Sequence, residues 1–310
     1  MLFRSQEVLA ARVSAVLADA GAREDLRVEG EGAAALLSAA CGMDAAAIEP
    51  GAVRSVYWCA DGGGVRGIGR LYRFGETDYL LRSLDADLAW FEPAAPRFGA
   101  SLRDETQARG LLLLAGPFAF AVLAAAGLED AVALEPGRHR DFVWRGIDVT
   151  VSRLGPCGGY EIACAADDGV IVFDRFWRAG RRFGLRPIGQ EAFELLQLEA
   201  GEIVQGLDFH PAREAFAREP LPASLGLARG GDVKLMGVEC DADEPARFSP
   251  LFAGNTGAGR TLRSAYSPAL KRAIALASVA SDCASGTALT VRRADGSEIS
   301  ARAVSLPFLP

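Results

Sequence analysis

The spacing of apolar positions along the chain shifts between helical and strand periods. MLFRSQEVLAARVSAVLADAG, at the start, sets apolar residues at helical intervals with Arg4, Glu7, Arg12 and Asp19 among them, which predicts an amphipathic helix. Between 52 and 90, VRSVYWCA and GRLYRFGETDYLLRS alternate like strands on either side of a glycine cluster, and the Gly-Glu-Thr-Asp at 75–78 is a turn signal. That reads as a meander, followed by a helix near 85–97. GLLLLAGPFAFAVLAAAG at 110–127 is apolar enough to suggest a membrane span, but it is slightly short and Gly116-Pro117 interrupts it. A buried strand at 110–115, a turn and a core helix at 117–126 are predicted instead. Two or three strands follow over 142–163, then helices over 168–183 and 189–200. HPAREAFAREPLPASLGLARGGD, rich in proline, glycine and charge, reads as a linker. VKLMGVEC, GTALTVRR and SEISARAVSL are short strands separated by turns, the pattern of a small antiparallel barrel or sandwich.

Composition narrows the function. At 310 residues the chain is long for one core, so two or three packed units are expected. A net charge of -7 argues against nucleic acid or an anionic membrane as partner and favours a small molecule. The six cysteines are scattered with no CxxC pair, so neither a zinc site nor a disulfide framework is signalled. No metal is expected. The charged residues of the first helix break any apolar leader, and a cytoplasmic setting is the expectation.

Three features are candidates for chemistry. GGGVRGIG at 62–69 holds a formal GxGxxG in Gly62, Gly64 and Gly67, but RLYRF after it alternates like a strand, whereas a dinucleotide fingerprint needs a helix to open there. A hairpin, or a loop approaching a ligand closely, is the alternative. The two histidines, His139 and His210, sit in no nucleophile or metal motif and are expected at the surface, which leaves a hydrolase or a catalytic zinc without a signature. Glu199 lies three, four and seven residues after Leu196, Leu195 and Ala192, hence on the apolar face, in the last turn before a C-capping Gly201. Burial and the helix dipole both oppose a carboxylate there. A structural ion pair, a frayed end, or a carboxylate gripping a planar donor–donor edge such as an amino-pyrimidinone would each account for it.

PIGQEAFELLQLEAGEIVQGLDF, the segment around Glu199, resembles the GLGARDxLRLEAGxxLYGxD of the glycine-cleavage T-protein (aminomethyltransferase) superfamily. Further blocks follow the same order: DGGGV before a strand with FGETDYLL after it, VSRLGPCGGYEI against SRTGYTGExGYE, and AYSPALKRAIALASV followed by SLPF. The resemblance covers roughly residues 50–310. It implies an α+β, three-lobed T-protein-like fold with a C-terminal antiparallel β-barrel. The implied lobes are 1–50 with 138–228, an inserted 51–137, and 229–310. It also implies tetrahydrofolate as cofactor, with Glu199 hydrogen-bonding the pterin and Arg229 and Tyr266 as further cofactor-binding candidates.

The departures from the family pattern shape the expected activity. The family's Asp-Asp pair falls at Gly67 and Ile68, the 153–160 loop is shorter and loses its aromatic, the helical block after SLGL is absent, and the family's asparagine appears as Arg82. Without the acid, glycine cleavage is not expected. The expected function is tetrahydrofolate-dependent one-carbon transfer, demethylase-like, from a small methoxy- or hydroxymethyl-aromatic substrate. A folate-independent, formaldehyde-releasing lyase and a non-catalytic folate-binding protein are the alternatives. Tyr160 and Tyr57 are the candidate proton donors, and Trp58, Arg66 and Arg82 the candidate substrate contacts.

Overall fold

The computed structural model describes residues 2–59, 65–154, 159–209, 233–241 and 243–309. The expected linker, His210, Arg229, Gly62, Gly64 and residues 155–158 of the 153–160 loop lie outside the described residues. The chain divides into two units, Leu9–Gln190 and Met1–Val8 with Glu191–Pro310.

The Leu9–Gln190 unit is built on two sheets. The first runs in the order Arg186–Pro187, Val16–Asp19, Arg109–Ala115, Tyr160–Ala165, Ile147–Arg153, Arg138–Trp144. Leu112, Leu114, Val149, Val151 and Ile162 from these strands share a core with Val122 and Leu123 of the helix Ala119–Ala126 and with Val172 and Phe176 of the helix Gly169–Gly180. The apolar run at 110–127 is therefore a buried strand and a core helix. They turn at Gly116, whose positive φ (+99°) and close approach to Ser14 O both require glycine. Among the described residues no helix is long and apolar enough to cross a membrane.

The second sheet runs Val53–Cys59, Val65–Arg73, Asp78–Ser83, Glu24–Glu29, Ser101–Asp104, and the helix Ala33–Cys41 covers it through Leu36 and Leu37. The glycine-rich stretch feeds the strand Val65–Arg73, not a helix, so the dinucleotide reading has no structural support. Instead of one helix near 85–97 there are two short ones, Leu88–Phe91 and Ala95–Phe98. Pro93, which lacks an N–H, sits in the break. Glu24–Glu29 pairs with Asp78–Ser83, and Arg109–Ala115 pairs with Val16–Asp19 and Tyr160–Ala165. Hydrogen bonding thus links segments on both sides of the expected lobe limits at 50 and 138.

The other unit carries all but the first residue of the helix Gln190–Glu199 and a closed, antiparallel, six-stranded barrel. Its strand order is Val233–Cys240, Arg272–Ala280, Thr256–Ser267, Pro250–Ala253, Ala288–Arg292, Glu298–Val304. Ala273, Ala275 and Ala277 supply small side chains beside Val238, Leu251, Val279 and Val291, which suits the narrow interior of so small a barrel.

Candidate functional site

Glu199 is fully buried with Ala192, Leu195 and Leu198 of its helix, so the acid does point inward. The helix ends as its sequence implies. Gly201 adopts φ +72°, its N–H returns to Leu198 O, and the Glu202 N–H returns to Gln197 O. Ser267 Oγ, at the end of the strand Thr256–Ser267, donates to Glu199 Oε1 at 2.6 Å. Phe308 N–H donates to the Glu199 carbonyl at 2.9 Å.

The loop that follows is held by Arg263. Its Nη1 and Nη2 donate to the carbonyls of Glu194 (3.3 Å) and Glu202 (2.8 Å). Its Nε lies 3.1 Å from Asp208 Oδ1, near enough for Coulomb attraction, but neither atom makes a hydrogen bond there. Asp208, the aspartate of the GLD segment, accepts from Val204 N–H through its other oxygen. Burial pushes its carboxyl up to about 6 against the pull of Arg263 and Val204.

The pH dependence follows in sign. A carboxyl raised above its ordinary value of 3.8 contributes stability that is complete below pH 3.8 and is lost as the pH rises through about 6. Denaturant midpoints of this unit are expected to fall across that window. Asp208→Asn should flatten the fall.

Tyr266 neighbours Ser267 but is 43% exposed, its backbone N–H donating to Glu244 Oε1 at 2.6 Å. Arg229 lies outside the described residues.

In the Leu9–Gln190 unit the structure brings Trp58 and Arg66 together, though as packing and not as an open wall. Trp58 is wholly buried and its Nε1 donates to Asp87 Oδ2 at 3.3 Å. Arg66 forms a bidentate pair with the same carboxylate at 2.6 and 2.9 Å, and stacks over Trp90. Trp58 thus has no exposed surface for a substrate, while Arg66 keeps about a quarter of its side chain exposed with its guanidinium committed to Asp87. The Trp58 ring also explains Gly67. A Cβ there would lie 2.0 Å from Trp58 Cζ2, so the indole fills the space that the side chain of the family's aspartate would need.

Arg82 is not turned toward a ligand either. It is buried, bidentate to Asp25 at 2.7 and 2.6 Å, with Nη1 3.4 Å from Glu161 Oε2. Glu161, also fully buried, accepts from Arg70 Nη1 at 2.8 Å and from the Tyr72 hydroxyl. Burial alone would raise the Glu161 carboxyl. Arg70, Arg82 and Arg23, with the Tyr72 hydroxyl, outweigh it and hold the group down at about 2.

Tyr160, next in chain to Glu161, is a core residue of the first sheet whose phenol is pushed up by burial, a weaker acid than a free tyrosine. Tyr57 is half-buried on the strand opposite Ile68. His139 is buried, contrary to the surface expectation. Its Nε2 lies 3.0 Å from Arg73 O, its ring packs on Tyr72 and Phe74, and burial lowers its pKa. The Glu161 cluster and Ser267 were not singled out from the sequence. The available signal was an acid inside the otherwise apolar strand YEIACA. Among the described residues no group of three or more histidines, cysteines or acids could hold a metal, and the five described cysteines are unpaired.

Comparison with known proteins decides the family. Residues 3–220 match the GCVT N-terminal domain, and residues 234–309 match the glycine cleavage T-protein C-terminal barrel domain. The chain belongs to the glycine cleavage T-protein family. An aminomethyltransferase of Thermus thermophilus is 31% identical over 98% of this chain and 90% of its own length. One of Geobacillus kaustophilus is 28% identical over 98% and 89%. The crystal structure of glycine cleavage system aminomethyltransferase T from Bartonella henselae superposes with a TM-score of 0.82 at 25% identity, covering 99% of this chain and 89% of that one. The T-protein fold, with its closed C-terminal barrel, is thus established for this chain. Within that fold Glu199 keeps the acid of the LEAG segment, while Gly67 and Ile68 stand where the resemblance places a pair of aspartates.

Proposed function

We propose that this T-protein family member transfers a one-carbon unit from a small organic substrate to tetrahydrofolate, that its substrates are methoxy- or hydroxymethyl-aromatic compounds, and that it does not cleave glycine. The buried Glu199 carboxylate, held by Ser267 in the last turn of its helix, is the observation that carries the reading. A buried carboxylate has only acceptors to offer, and the two N–H groups on one edge of a pterin complement its two oxygens. Glu199 would therefore bind and orient the ring. When bound, tetrahydrofolate supplies the amine nitrogen that accepts the carbon.

The second half of the reading rests on Gly67. With the Trp58 indole packed against its Cα, the chain has no room for the acid that serves the folate amine in the family pattern. The aminomethyl chemistry for which the relatives are named is accordingly assigned to them and not to this chain.

The test is turnover of a methoxy- and hydroxymethyl-aromatic panel with and without tetrahydrofolate. Consumption is expected only when tetrahydrofolate is present, with the carbon recovered on the folate. Free formaldehyde at full rate in folate-free buffer would replace the transferase with a lyase.

A further inference from the structure

We infer that Ser267 is a positioning residue that sets the plane of the Glu199 carboxylate for pterin binding, an inference that rests on the folate reading and deepens it. The terminal torsion of a glutamate is soft, so burial alone does not decide which way the two oxygens face. Gripping a planar donor–donor edge requires both oxygens in the plane of that edge. Some neighbour has to fix the rotation.

Ser267 is built to do so. It is fully buried, and its Oγ accepts the Leu270 N–H at 3.1 Å while donating to Glu199 Oε1 at 2.6 Å. A hydroxyl has one proton. Because the Leu270 N–H already uses Oγ as an acceptor, the orientation of the hydroxyl is set and its proton is directed at the carboxylate. The 2.6 Å separation is that of a well-formed O–H···O hydrogen bond.

The backbone of Glu199 is fixed independently. Its carbonyl accepts the Phe308 N–H at 2.9 Å, and a Cβ at Gly201 would approach Leu306 to 2.9 Å, so the C-terminal segment packs closely on the helix end. Main chain and side chain are thus anchored by different elements, and Ser267 Oγ acts on the carboxylate torsion from the barrel strand. Arg263 and Asp208 hold the loop through main-chain carbonyls and Val204 N–H, and do not replace it.

A purely structural role would be to satisfy Leu270 N–H, and a double-mutant cycle separates the two. The dissociation constant of tetrahydrofolate is measured by equilibrium dialysis, in a range that reaches millimolar, for the full chain, Ser267→Ala, Glu199→Ala and the double variant. Ser267→Ala is expected to weaken binding about tenfold in the wild-type background, as for loss of a hydrogen bond to a charged group. In the Glu199→Ala background the same change should weaken it less than about twofold, because no carboxylate is left to orient.

An equal loss in both backgrounds, or no loss in the wild-type background while Glu199→Ala binds weakly, would overturn the role of Ser267 and leave the folate reading standing. Wild-type affinity retained in Glu199→Ala would overturn both.

Discussion

Glu161→Ala is expected to destabilise the Leu9–Gln190 unit by about 3–5 kcal/mol, the range for removing one partner from a buried ion pair. Glu161 is wholly buried and accepts from Arg70, Arg82 and Tyr72. Alanine would leave Arg82 with only Asp25 to balance it and would strip Arg70 and the Tyr72 hydroxyl of their shared acceptor. The lost attraction matters less than the desolvated donors left behind.

Acid has a related effect. The Glu161 carboxyl is held down at about 2 from an ordinary 4.5, so its contribution is present above pH 4.5 and is lost as the pH falls toward 2. Urea midpoints of wild type and Glu161→Ala should differ widely at neutral pH and draw together below pH 4.5. Coincident midpoints at pH 7 would show that the cluster carries no net stability.

That cluster marks where the sequence stopped being legible. Periodicity reports which side of an element is buried, and it placed the core helix after Gly116, the helix ending at Gly201 and three of the six barrel strands correctly, because each depends on neighbours within a few residues. It also placed Glu199 inward. It could not say what a buried polar residue touches.

Asp25 and Arg82 are 57 residues apart, and Arg82 and Glu161 are 79 apart. Arg82, read as a charge facing a ligand, belongs to that long-range network. His139, read as a surface residue, is packed between Arg73 O and the rings of Tyr72 and Phe74, more than sixty residues earlier in the chain. Trp58 alternates along its strand as a candidate wall residue would, yet only the pairing of Trp58 with Gly67 shows that the ring is core. Ser267 escaped notice because serine before proline is an ordinary turn residue, and its partner lies 68 residues earlier.

Glu199→Gln is expected to remove most of the stabilisation that tetrahydrofolate confers while leaving the ligand-free protein folded. The amide matches the carboxylate in shape and can still accept the Ser267 hydroxyl, so the helix end keeps its packing. Toward a donor–donor edge the amide offers one acceptor and one donor, and the donor faces an N–H. Mispairing of a buried, charge-assisted contact costs about 2–5 kcal/mol. A ligand present at a hundred times its dissociation constant stabilises the native state by about 2.7 kcal/mol, so a loss of that size abolishes nearly all of the shift.

Thermal unfolding of wild type and Glu199→Gln, each with and without tetrahydrofolate, is therefore the direct measurement of whether this buried acid holds a pterin. The predicted result is a clear rise in Tm for wild type and little or none for Glu199→Gln, from closely similar ligand-free values. Equal rises in the two proteins would contradict it.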